Sequence, residues 1–187
     1  MDTPTFSTDA TRWQVLRRRW PSVLGLAAAI ALLATGAGPD VVAIVVVVAT
    51  LCYLGAAALG RPWVAWAAIL GGGVVIAASL LAGVAWWAGL GVAALALCVA
   101  GLARHGSHRA LTAQAVALLG YGGLAVVALY LAPRLGLALA GVALAGHALW
   151  DLHHYRRDQV VPRSLAEACM LLDLPLGAGV VILAIVN

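Results

Sequence analysis

The chain runs in long apolar stretches broken by short polar punctuation, and the punctuation sets the predicted elements. A helix crosses a hydrocarbon core of roughly 30 Å with about 20 mostly apolar residues. Pro21 to Pro39 carries no charge, and Val41 to Gly60 is bounded by Asp40 and Arg61, so each predicts one span. Residues 62 to 103 are a run of 42 uncharged positions, which at about 1.5 Å per residue is roughly twice the bilayer thickness. That run must fold back once, and the turn is predicted at Ala82-Gly83-Val84, just before the interfacial pair Trp86-Trp87. Ala110 to Ala132 predicts a fifth span that Pro133-Arg134 ends; Leu135 to Tyr155 predicts a sixth and Ser164 to Val186 a seventh. The pattern therefore predicts an all-α integral membrane protein, a compact bundle of about seven transmembrane helices. Residues 1–20 form an interfacial N-terminal segment and residues 21–187 a single transmembrane domain.

Composition supports that class, with 64% hydrophobic and 10% charged residues and a mean hydropathy of +1.03, far from the soluble range. Charge then orients it. All eleven basic residues are arginine, which with the alanine-rich composition suggests a high-GC bacterial genome and an inner-membrane location. Short cytoplasmic loops collect basic residues. With the N-terminus inside and the C-terminus outside, ten arginines are cytoplasmic and Arg134 alone is external. The stretch "RWQVLRRRW" then lies on the inner leaflet, with Trp13 and Trp20 at headgroup depth. Cys52, Cys98 and Cys169 sit singly inside spans and match no disulfide or zinc spacing.

Candidate chemistry concentrates in "HALWDLHHYRRDQ", residues 147–159, and in "SLAEACMLLDLPLG", residues 164–177. A residue advances about 100° around a helix, so His147, Asp151 and His154 fall within about 60° of one another, while His153 points elsewhere. Gly136, Ala140 and Ala143 continue the same face with small side chains that permit close helix approach in a bilayer. Counted inward at about 1.5 Å per residue, Asp151, Glu167 and Gln114 lie about 6 Å deep, Tyr53 and His147 about 10 to 12 Å, and Asp173 about 15 Å. Pro175 lacks an N–H and frees the Leu171 carbonyl beside Asp173. The outer half holds only weak polar groups such as Ser79, Tyr121 and Tyr130.

An ionisable residue inside a span is costly, so this set is a functional-site candidate. His147, Asp151, Glu167 and Asp173 are candidate catalytic acids and bases, because an imidazole beside a carboxyl can accept or relay its proton. Tyr53, Gln114 and Trp150 are candidate walls of a substrate pocket, and Arg156 and Arg157 candidate holders of an anionic headgroup together with Arg104, Arg109 and Arg163. The cofactor is open, either none or a divalent metal ion, for which His147, Asp151 and His154 are candidate ligands. Histidine-box spacing of membrane desaturases and an aspartate-rich prenyltransferase motif are both absent. The expectation is a membrane-embedded enzyme acting on a lipophilic, isoprenoid- or lipid-type substrate in a pocket open to the cytoplasmic side. A proton-coupled transporter or channel is the alternative, and a non-catalytic membrane subunit a third reading. Expected partners are membrane lipids and the lipophilic substrate, with a homo-oligomer allowed and no nucleic acid.

Overall fold

The computed structural model describes residues 19–104 and 108–186, so the interfacial segment up to Arg18 and His105 of the "RHGSHR" loop lie outside the described residues. It is all-helical: α1 Trp20–Ala34, α2 Pro39–Leu59, α3 Val64–Leu81, α4 Trp86–Ala103, α5 His108–Ala128, α6 Pro133–Arg157 and α7 Arg163–Val186. Six of the seven, α2 to α7, are long and apolar enough to cross a membrane, which fits a multi-pass helical membrane protein.

Helix α1 is the exception. Its 15 residues cover about 22 Å at the helical rise, short of the full span expected over Pro21 to Pro39. The physical reason lies in Gly36, which takes a left-handed backbone at φ 72° that only glycine adopts cheaply. Its N–H bonds the Leu33 carbonyl and the Ala37 N–H bonds the Leu32 carbonyl, a Schellman closure that stops the helix before the next proline. The same device ends α3, where Gly83 sits at φ 68° and the Gly83 and Val84 amides bond Leu80 and Ser79. This is the turn predicted at Ala82-Gly83-Val84. At their starts, α2 and α6 each carry a proline in the first turn, where the missing N–H costs nothing.

Helix α2 runs through the centre, packed by α3 and α4 on one side, α6 and α7 on the other, and α5 alongside. Its Val42, Val46, Leu54 and Tyr53 are essentially inaccessible. Helices α6 and α7 make the most extensive pairing, and α1 docks on α7. Glycine sets these distances. A Cβ on Gly177 would stand 2.6 Å from the Gly141 carbonyl oxygen, and one on Gly25 would collide with the Ala168 carbonyl. With no hydrophobic drive between helices in lipid, such backbone proximity supplies the packing. Chain alternation gathers Arg19, Arg61, Arg104, Arg109, Arg157 and Arg163 at one end of the bundle and leaves Arg134 at the other.

Candidate functional site

The face predicted on α6 is the face that is buried: Gly136, Ala140, Ala143, His147, Asp151 and His154 all point into the bundle, while His153 is exposed. Helix α6 runs on to Arg157, so His147 lies ten residues from that end, about 15 Å in and level with Asp173, ten residues into α7. Antiparallel packing over the Gly141 and Gly177 contact brings the two together. His147 Nδ1 stands 2.8 Å from Asp173 Oδ2, a separation at which ring nitrogen and carboxyl oxygen share one proton. The same nitrogen is 3.5 Å from Asp151 Oδ2. Asp151 is held from the third side by α2, where Tyr53 Oη donates to its Oδ1 at 2.7 Å.

This cluster is fully enclosed. His147, Asp151 and Asp173 have no exposed surface, and three of their polar atoms, His147 Nε2, Asp151 Oδ2 and Asp173 Oδ1, have no hydrogen-bond partner. Buried polar groups are normally paired because each unmade bond costs about 1 to 3 kcal/mol. Three orphans in one cluster make it the candidate functional site among the described residues. Among the described residues no arginine pairs with either aspartate. One imidazole can neutralise only one of two carboxylates, so the cluster has room for one further proton or a cation.

Two tyrosines enclose the imidazole. Tyr53 and Tyr121 meet the His147 ring edge to face, with centroids 5.6 and 5.3 Å away. Sequence reasoning assigned Tyr121 to the weakly polar outer half. A π-helical turn over Leu118–Gly122, within the glycine-rich "LLGYGG", adds a residue to the local turn, and Tyr121 within it meets the His147 ring of α6. Heptad counting along a regular helix cannot see that shift.

A second ring of hydrogen bonds flanks the cluster. Trp150 Nε1 donates to Gln114 Oε1 at 3.0 Å, Gln114 Nε2 meets His154 Nε2 at 3.0 Å, and His154 Nδ1 lies 2.9 Å from the Trp150 carbonyl. A carbonyl only accepts, so His154 carries its proton on Nδ1 and accepts from Gln114 on Nε2. Both nitrogens are thus used, and His154 is not one of the residues that could share a metal; that group is His147, Asp151 and Asp173. Glu167 also stands apart: it receives the Ser22 hydroxyl and lies 3.7 Å from Arg19 Nη1, facing α1 rather than α6. Arg156 and Arg157 are exposed at the helix end and do not approach the cluster, whose ion-pair partners are its own members.

Two cavities bear on access. One of about 760 Å³ opens at the arginine-rich end, lined by Ala56, Gly60, Pro62, Arg104, Leu111 and Gln159 among others. The other, about 470 Å³, is a groove on the flank of α5 and α6 whose lining includes Thr112, Val116, Gly120, Tyr121, Leu124 and Trp150. Neither is lined by His147, Asp151 or Asp173, but Tyr121 belongs both to the groove and to the wall around His147. No protein-family model, curated protein or solved structure matches the chain.

Proposed function

We propose that the protein is a membrane-embedded enzyme of the bacterial inner membrane that acts on a lipophilic, isoprenoid- or lipid-type substrate by acid-base chemistry, with its arginine-rich end in the cytosol. One observation carries the reading: a buried imidazole and two carboxyls, with three unpartnered polar atoms, sit at mid-bundle one aromatic ring away from a lateral apolar groove. His147 is the group that exchanges a proton with substrate through its unpartnered Nε2, Asp173 orients the ring through Nδ1, and Asp151, anchored by Tyr53, holds the second carboxyl in reach. Water exclusion around such groups strengthens every charge interaction they make. Movement of the Tyr121 ring admits an apolar chain from the bilayer. A positioned acid or base of this kind contributes typically about 10² to 10⁴ in rate.

The test is an untargeted comparison of membrane lipids from cells expressing the native protein or His147→Gln at equal abundance. A lipid species that accumulates only with the native protein, and its precursor only with the variant, is the expected result. Identical profiles overturn the enzyme reading. The complete closure of the cluster favours one second reading, a proton-coupled transporter, whose signature is solute flux driven by a pH gradient in proteoliposomes and lost in Asp173→Asn.

A further inference from the structure

We infer that His147, Asp151 and Asp173 form a binding site for one divalent transition-metal ion, zinc or manganese by donor type; the inference rests on the reading of this cluster as the functional centre and names what completes it. One ligand atom from each residue lies within 4.8 Å of the others. The 3.5 Å between His147 Nδ1 and Asp151 Oδ2 is close to the separation of about 3.3 Å between two ligands bound to a tetrahedral metal at about 2.0 to 2.1 Å. Asp173 Oδ2, at 2.8 Å from the same nitrogen, has to withdraw by about half an ångström to reach that spacing, and its unpartnered Oδ1 offers a second donor.

Three further features fit a metal better than a structural hydrogen-bond cluster. The first is charge: two carboxylates and a neutral imidazole around a divalent ion make a neutral group in an enclosed core, with no residual charge to bury. A second is Asp151 itself, whose Oδ1 is occupied by the Tyr53 hydroxyl while Oδ2 is left unpartnered and faces His147. An outer hydroxyl that fixes a carboxylate and frees its other oxygen is the usual support of a metal ligand. Finally, one imidazole with two carboxylates and no thiolate suits zinc or manganese rather than copper(I) or a thiolate-bound ion. With the ion on Nδ1, the proton of His147 lies on Nε2, so the loaded site presents an N–H donor there, and Nε2 accepts a proton only when the ion is absent and Nδ1 bonds Asp173.

The full chain is purified in detergent without chelator and its metal content measured by plasma mass spectrometry; it is then stripped, and zinc or manganese is added while thermal unfolding is followed. We expect about one ion per chain, a rise in midpoint for the ion found, and loss of both in Asp151→Asn and Asp173→Asn. Tyr53→Phe, which removes no ligand, should weaken binding about 10-fold to 100-fold and serves should the aspartate variants fail to fold. Native protein without metal above background and without a midpoint shift overturns the site, as does undiminished binding in both aspartate variants. Metal-free protein whose lipid conversion still requires His147 removes the ion and leaves the acid-base centre. Stoichiometric metal with lipid profiles indifferent to His147 leaves the ion and removes the enzyme reading.

Discussion

The α3–α4 hairpin and the α1–α6–α7 unit are built from the same few residue types, yet they obey different rules. From Val64 to Ala103 the hairpin has no charged side chain and no histidine. It leaves Leu70, Val74, Leu81, Val92 and Leu95 on the outside, and a Cβ at Gly71, Gly73 or Gly91 would meet nothing within 4 Å. In the other unit, Gly25, Gly141 and Gly177 touch neighbouring backbone, and the enclosed cluster lies just beyond that crossing. Against lipid, an outward leucine is as content as an inward one, so the hairpin is constrained chiefly by length and apolarity. Small residues acquire fixed places where helices meet, in the hairpin at Gly89 against Ser79 and Gly101 against Leu111, and in the α1–α6–α7 unit where backbone meets backbone. Substitutions that act on one region and spare the other sharpen this contrast.

The largest effect is expected in the cluster. His147→Gln or Asp173→Asn should lower conversion of the lipid substrate about 10²-fold to 10⁴-fold, read by product formation in isolated membranes. In the hairpin, Ser79→Ala removes only a hydroxyl bonded to the Val75 carbonyl of its own helix and should leave conversion unchanged. Next comes the helix crossing, where Gly177→Val forces side-chain atoms against the Gly141 carbonyl and the Ala145 amide. The expected loss is about 1 to 3 kcal/mol, measured by unfolding in mixed micelles. Gly73→Ala, in open space, should instead gain about 0.5 to 1 kcal/mol from helix propensity. An equal response of the two glycines would erase the distinction between the regions.

Smaller again is Tyr53→Phe, which strips the donor from Asp151 Oδ1. It should cost about 1 to 2 kcal/mol by the price of an unmade buried bond, and a double-mutant cycle with Asp151→Asn isolates that pair. At the low end, Arg19→Ala removes a partner of Glu167 whose own side chain is 67% exposed. Screening leaves such a pair worth less than about 1 kcal/mol, and unfolding should barely register it.

Much of this was legible in the sequence, and the residues show why. Charges bounded most of the spans because a bilayer penalises them, α3 and α4 were separated by length and the Gly83 turn, and the α6 face from Gly136 to His154 followed from helical period alone. The contact of His147 with Asp173 was within reach because both were the deepest ionisable groups on neighbouring helices. Other features depended on three-dimensional detail. The early stop of α1 turns on one left-handed glycine, Gly36, inside a run with no charge to mark it. Tyr121 was hidden by a π-helical turn, and Gln114 closes a ring with Trp150 and His154 that no spacing rule announces. Glu167 resembled Asp173 on paper, six positions away on one helix, but the roughly 120° between them turns it to Ser22 and Arg19.

If the cluster serves chemistry rather than packing, the fold carries it at a cost. Replacing all three residues by apolar side chains of similar volume, His147→Phe with Asp151→Leu and Asp173→Leu, tests this most directly, because buried ionic groups exchanged together for well-packed hydrophobes are often neutral or stabilising by about 1 to 4 kcal/mol. The triple variant is expected to insert, to unfold at the same temperature as the metal-stripped native protein or higher, and to make no lipid product. A variant that cannot fold, or one that folds and still makes the product, would contradict it.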